Sequence, residues 1–495
     1  MNLKKVLPII LSAAALVSAA SGCGGKKVSE NVTLKYLMPG PGLQQDSEKV
    51  WAEFNKKLQE KLPNVRVEFE VVPLEEYKQK FMLMTSAREQ IDIVNNYGLD
   101  FANEVKNGTF TPIDDLMGEY GKELTQALPD WFMDYQKVDG ITYGIPTYQM
   151  CAYLRGICFF KEQADKYLDT DAFKKALYST DTFNQEVYDI LTKYIEDMKA
   201  DGLNFNNATI LNVKSGGESM TTYFNAVDDG NGNYTVQPYF INDSAKLRYK
   251  VANEWYKKGY IRQDVLSATN MNEDKGKLNG YPFWDEVYTP FAAEELSKKY
   301  GNEIVMIPYS ETWTLAKENT AAGTSIMESC EHKEEAMKVI NLLQTDKDLY
   351  NLLVFGIEGD HYKKTGDDQI QVEWDSSPST NDRYGLYKWI VGNTEIAYNT
   401  QNEPPEYKDW VFNDVNKNGK KNPFMGFLLD TTQIQDYLTQ VAAVQEKYLQ
   451  PLNSGATDNW EEYYKKYEDE TNKVGGGKAI EAIQQQIDDF MSKKN

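Results

Sequence analysis

The stretch VTLKYLMPGPGLQQDSEKVWAEFNKKLQEKLPNVRVEFEVV, residues 32–72, decides how the chain folds. Its first seven residues, Val32 to Met38, are β-branched, aromatic or aliphatic apart from Lys35, a composition that suits a buried strand. Pro39 to Gly42 (PGPG) end it, because proline has no amide hydrogen for a ladder and glycine no side chain to pack. Val50, Trp51, Phe54, Leu58 and Leu62 then recur at helical spacing and predict a helix over 46–62 with a single apolar stripe. VRVEFEVV (65–72) alternates as a strand does. LEEYKQKFMLMTSA (74–87) reads as a second helix and IDIVNN (91–96) as a third, mostly apolar strand. The order βαβαβ calls for parallel strands covered by helices, an α/β fold. Ligands of such sheets bind outside the carboxyl ends of the strands. Those ends are PGPG with Gln44, and Asn95-Asn96-Tyr97.

Beyond residue 96 the chain is too long for this one core. Roughly 250–300 residues is where single cores stop growing, so two lobes are expected. Asp139-Gly140 lies between strand-like flanks (137–143), a hairpin signal. The apolar passage GIPTYQMCAYLRGICFF (144–160) has no helical period and reads as a strand leaving the first lobe for the second. Helices are predicted around 161–177, 183–201 and 243–259, with a hairpin at 228–239. AAGTSIMESC (321–330) is strand-like again, and helices follow at 334–344 and from 347. The last 120 or so residues are helix-rich, with a Gly-rich break at VGGGK (474–478). The expected division is lobe 1 over 32–147, with about 318–360 returning to it. Lobe 2 is expected over 148–317, completed by the helix-rich segment 361–495.

The amino terminus has a different composition. Lys4 and Lys5 precede an apolar run from Val6 to Ala20, then small residues and Cys23. The run falls short of the roughly 20 residues of a spanning helix and has the layout of a secretion signal over 1–22. Residues 23–31 form a polar tether. Removing 1–22 deletes two lysines and no acid, which moves the net charge from −22 to −24. A polyanion of that strength repels nucleic acid and anionic headgroups. Cys151, Cys158 and Cys330 remain in the body. An odd number excludes complete pairing within one chain, so free buried thiols are expected.

Chemistry that needs fixed motifs finds none here. His332 and His361 are the only histidines, and no G-x-S-x-G, HExxH, paired CxxC, Walker or G-x-G-x-x-G pattern occurs, so no catalytic residue, metal or cofactor is expected. Asp414 to Gly419 starts like a calcium loop, but Met425 stands where a bidentate Glu belongs, and a plain turn is expected. A carboxylate pair for glycoside hydrolysis is left open by a chain with 75 acids.

Aromatic residues are plentiful: Trp 9, Tyr 33 and Phe 20. A sugar presents an apolar C–H face and a rim of hydroxyls, so its site needs flat aromatics beside a few polar anchors. The candidates are Asn96 and Tyr97 at a predicted strand end, Tyr148 and Gln149 at the crossing, Trp284 in a loop beside Asp285, Trp313 near the return crossing, and Trp389 and Asn393 in the C-terminal region.

Three passages carry a family resemblance. VDGITYGIPT (138–147), TSIMESCEHKEEAMKVINLLQTDKDLYNLLVFGIEG (324–359) and YKWIVGNTEIAY (387–398) resemble the family-one extracellular solute-binding proteins of ABC importers, in the lipoprotein branch with a C-terminal domain of unknown function. Ala20-Ser21-Gly22-Cys23 resembles a lipobox, with Ala20 where Leu is usual. The resemblance implies a two-lobed clamshell of the type II periplasmic-binding class, with crossing hinge strands and a helix-rich C-terminal region. It implies a monomer that closes on a carbohydrate, most often an oligosaccharide, and delivers it to a membrane permease. It also implies acylation at Cys23 and anchorage on the outer face of the bacterial cytoplasmic membrane. A surface glycoside hydrolase and a peptide-binding lipoprotein are the alternatives that the residues leave open.

Overall fold

The computed structural model describes residues 31–208, 217–268, 274–315, 322–375 and 377–494. The signal segment, Cys23 and the return point near 318 lie outside the described residues.

Strands β1 (Val32–Gly40), β2 (Val65–Pro73) and β3 (Ile93–Asn95) lie parallel with β1 in the middle, in the registers Val32↔Val65 and Tyr36↔Ile93. The two-residue period of β1 sends its side chains to two cores. Leu34, Tyr36 and Met38 meet Val50, Phe54 and Leu58 of helix α1 (Ser47–Lys61), while Leu37 meets Tyr77, Phe81 and Met84 of helix α2 (Leu74–Ala87). Each helix thus buries its apolar stripe on a different face. The sheet continues with strand Gly323–Ile326, antiparallel to β3 and to Ile145–Pro146. It is therefore mixed: the returning strand arrives from the other lobe and runs against the first three.

Lobe 2 is built on strand Arg155–Phe160, flanked on both sides by antiparallel strands Phe283–Val287 and Ile304–Pro308. Helices 170–178, 185–200 and 243–257 cover it, with Phe159, Phe173, Tyr194, Trp255 and Phe283 in the core. Helices 435–454, 460–473 and 476–494 complete this lobe. Tyr448, Leu452, Tyr464 and Tyr467 pack with Ala245 and Tyr249 of the 243–257 helix. Gln484 also bonds both edges of the peptide at Tyr234 and Val236, at 2.8 Å each.

The segment 361–425 needs a correction. The sequence places it in lobe 2, but Tyr362, Ile370, Tyr384, Ile390, Val391, Val411 and Met425 belong to the core of lobe 1. Contact with lobe 2 begins earlier at its edges, where Phe424 packs on Tyr234 and Phe291 meets Tyr407 and Trp410, and the helices from 435 onward pack with lobe 2. Asp46 clamps the segment from the lobe 1 side. Its carboxylate accepts from Arg383 at 2.7 Å and lies 3.1 Å from His361 Nε2, while His361 Nδ1 accepts the Ile357 amide at 2.9 Å. With Nδ1 accepting, Nε2 carries the proton and donates to Asp46.

Three segments join the lobes. Strands Ala152–Tyr153 and Thr314–Leu315 pair antiparallel, and Lys420 runs beside Thr314, with the Leu315 amide donating to Lys420 O at 2.8 Å. The Asn-rich stretch from Asp414 is not a plain turn, because backbone 410–418 is helical. Its Asn416 is buried and spans the crossing, accepting the Cys151 amide and donating to Gln149 O, both at 2.7 Å. Cys151, Cys158 and Cys330 are free and buried. Burial pushes the Cys151 and Cys330 thiols up to about 12, which makes them inert packing groups.

Candidate functional site

At the carboxyl end of β3 the chain turns at Asn95-Asn96-Tyr97. Asn95 Oδ1 accepts the Tyr97 amide at 3.0 Å, and its Nδ2 donates to Ile390 O at 2.8 Å. One buried amide therefore fixes two aromatic residues side by side. The Tyr97 and Trp389 rings meet edge to face with centroids 5.0 Å apart, and Tyr387 stacks on Trp389 at 5.8 Å. The 387–394 segment is pinned to the crossing strand by three further bonds. Thr147 Oγ1 donates to Ile390 O at 3.1 Å, the Tyr148 amide to Gly392 O at 3.0 Å, and the Thr394 amide to Tyr148 O at 2.7 Å.

These contacts frame a cavity of about 460 Å³ between the lobes, within the roughly 300–1,000 Å³ range of small-molecule sites. Tyr97 and Ala322 come from lobe 1 and the crossing, Gln149 and Met150 from the crossing strand, and Val287 from lobe 2. Trp389, Tyr398, Asn399, Tyr407, Val411 and Phe412 come from the 384–415 segment. Next to the cavity, Tyr288 and Phe291 of lobe 2 meet Trp313, Tyr407 and Trp410 in an aromatic wall, with the Trp313 and Trp410 rings 5.3 Å apart. Among the described residues two cations line the cavity, and each is matched. Lys388 pairs with Glu403, and Lys408 pairs with Asp368 while donating to Ala397 O at 2.7 Å. Burial alone would raise the Asp368 carboxyl, but hydrogen bonds from Lys347 and Lys408 outweigh it and hold the group below its usual range.

Of the eight residues singled out in the sequence, Tyr97, Gln149 and Trp389 line this cavity, and Trp313 stands in the wall behind it. The other four need correction. Asn96 is buried and donates to Gln136 at 2.6 Å and Ser325 at 3.1 Å, tying β3 to the return strand. Tyr148 is buried between Phe132 and Phe412, with centroids at 4.9 Å from each. Asn393 is buried and caps the turn that follows, accepting the Glu395 amide at 2.9 Å. Trp284 lies in a strand, not a loop. At 1% exposure it packs on Phe160 and Tyr300, on the face of its sheet covered by helix Ala292–Tyr300.

Three residues were missed. Asn95 carries the positioning bond that was looked for in its neighbour Asn96. The alternation of a short edge-bounded strand could have separated them, since one points to the cleft side and the other to the return strand. Tyr407 and Lys408 sit in a polar stretch that shows no strand end, and only the folded segment brings them to the cavity.

Comparison with known proteins adds the following. The model of the bacterial extracellular solute-binding protein family matches residues 41–349, and a domain of unknown function (DUF3502) matches residues 423–492. A carbohydrate ABC transporter substrate-binding protein of Streptococcus pneumoniae is 22% identical over 505 residues, covering 100% of this chain and 99% of that one. The crystal structure of the N-glycan transport solute binding protein NgtS from Streptococcus pneumoniae superposes with a TM-score of 0.72 at 20% identity, covering 94% and 100% of the two chains. An HMO-binding, ABC-transporter-associated solute-binding protein from Bifidobacterium longum infantis gives 0.61 at 14% identity, covering 93% and 99%. At these identities the likeness is one of fold.

Proposed function

This chain belongs to the bacterial extracellular solute-binding protein family, whose model matches more than half of it, and from that premise we propose that it captures a carbohydrate for an ABC importer. The ligand is an oligosaccharide. It enters between the lobes, and the crossing segments at 147–154, 314–315 and 416–422 form the hinge that closes over it, as two-lobed binding proteins do. Closure removes water from the ligand and presents a closed shape to a permease. The protein binds and releases; it breaks no bond.

The observation that carries this reading is the Tyr97–Trp389–Tyr387 aromatic group at the carboxyl end of β3, beside Gln149 and Asn399 in one interlobe cavity. Flat rings take the C–H faces of sugars and amides take the hydroxyls. The curated relative is a carbohydrate transporter's binding protein along its whole length, which supports the same ligand class. Glycoside hydrolysis is disfavoured by the acids nearest the cavity. Glu403 and Asp368 are committed to lysines, so Glu395, raised by burial beside the lining Thr394, lacks the second free carboxyl on the described lining that hydrolysis needs to attack or to activate water.

The chain acts outside the cell as a monomer, held at the outer face of the cytoplasmic membrane by acylation of Cys23. The Gly24-Gly25-Lys26-Lys27 tether lets its acidic body stand away from the bilayer. Mass spectrometry of the membrane fraction checks the anchor: a diacyl mass on an N-terminal Cys23 peptide is expected. The functional test is incubation with neutral oligosaccharides of graded length. Stoichiometric binding without new reducing ends is expected, and catalytic release of reducing ends would overturn the binding reading.

A further inference from the structure

The charge pattern around the cavity points to a class of sugar. We infer that the cleft selects uncharged sugar units and rejects uronates, with Glu403 as the residue that sets this preference; the inference rests on the carbohydrate reading above.

Recognition of a uronate requires a cation with a free hydrogen-bonding direction, most often an Arg fork or a Lys. The two cations that line the cavity are already spent. Lys388 is bound by Glu403 and lies over the Tyr407 ring at 5.6 Å. Glu403 is itself immobilised, accepting the Thr400 amide at 3.0 Å and its hydroxyl at 3.3 Å, and its side chain is only 14% exposed. Lys408 is held by Asp368 and by the carbonyl of Ala397, and Asp368 takes Lys347 as well, at 2.5 Å. On the lobe 2 side, Arg155 stands opposite the lining Val287 in the ladder. Its Nε donates to Asp285 at 2.7 Å, so this guanidinium is also engaged.

Glu395 follows the lining Thr394 and lies within the field of Lys408. Three acids, Glu403, Asp368 and Glu395, thus surround the two lining lysines. A bound carboxylate would lose its water and find no unmatched cation among the described lining residues, a combination that costs far more than it returns. A neutral sugar meets no such penalty. Its hydroxyls can bond Gln149 while its C–H faces lie on the Tyr97 and Trp389 rings.

The test uses matched pairs, in which a neutral oligosaccharide is compared with the same chain after one 6-hydroxymethyl group has been oxidised to a carboxylate. Calorimetry on the mature protein is expected to give at least about tenfold tighter binding of the neutral member. Glu403→Gln, which releases Lys388, is expected to shrink that ratio. Glu395→Gln, away from any buried ion pair, is expected to do so in part and guards against a folding defect in the first variant. Equal or tighter binding of the oxidised member overturns the charge preference and leaves sugar capture standing. An unchanged ratio in both well-folded variants overturns the role of these acids. Binding of neither member at any chain length overturns the inference together with the carbohydrate reading beneath it.

Discussion

Trp284 and Trp389 carry the same side chain and opposite duties. Trp284 fills a core in lobe 2, so Trp284→Ala should lower the unfolding free energy by about 3–5 kcal/mol in a denaturant titration while leaving ligand affinity unchanged in whatever protein still folds. Trp389 reaches the interlobe cavity, and its removal should act on binding and not on stability. Local sequence could not separate them. Gly280, Pro282 and Asp285 give the Trp284 neighbourhood the look of a loop, and its pairing partner, Arg155–Phe160, lies far upstream. Tyr97 was legible because it follows an apolar strand directly. Asp46 gives a second residue-scale prediction. Burial alone would raise its carboxyl, but hydrogen bonds from His361 and Arg383 and the guanidinium charge hold it below the usual range. A depressed carboxyl contributes stability that is full above its unfolded pKa of roughly 3.9 and is lost as pH falls through the folded value. The melting temperature should therefore drop as pH falls below about 4, and Asp46→Asn should flatten that drop while lowering stability at neutral pH.

Among the elements, the passage Tyr143-Gly144-Ile145-Pro146-Thr147 shows why a motif can be specific and yet silent about ligand. A Cβ on Gly144 would meet Gln136 Oε1 at 2.5 Å and Ser325 Oγ at 2.9 Å, and one on Gly323 would meet Gln136 Cδ at 2.7 Å. The two glycines make room for the Asn96–Gln136–Ser325 hydrogen-bond group that joins β3, the return strand and the segment before the hairpin. Gly144→Ala should cost about 1–3 kcal/mol through displaced buried hydrogen bonds, read by thermal and denaturant melts, with Gly118→Ala as a comparison at an open helical position. Asp139 and Gly140 have φ of 51° and 83°, so their hairpin was predictable from a dipeptide. The β1-to-β3 order was legible for the same reason: each period is complete within a few residues. The helix at 410–418 was not, since Asn416 owes its burial to the crossing strand and to nothing in its own neighbourhood.

At the scale of the molecule, the chain visits lobe 1, lobe 2, lobe 1 again and then lobe 2. The chain therefore passes between the lobes three times, at 147–154, near 315 and at 416–422. The third visit escaped the sequence reading because 361–425 has short elements and polar surfaces, and its attachment rests on scattered residues such as Ile370, Ile390 and Val411. That segment is also the one that brings Trp389, Tyr407 and Lys408 to the cleft. The site is thus shared between a lobe edge that sequence exposes and an insertion that only folding delivers. The most direct test of cleft capture is titration calorimetry with a neutral oligosaccharide on the native protein and on Trp389→Ala. One site per chain, weakened about tenfold to a hundredfold in the variant at unchanged melting temperature, is the predicted result. Undiminished affinity in the variant, or no heat with any oligosaccharide, would contradict it.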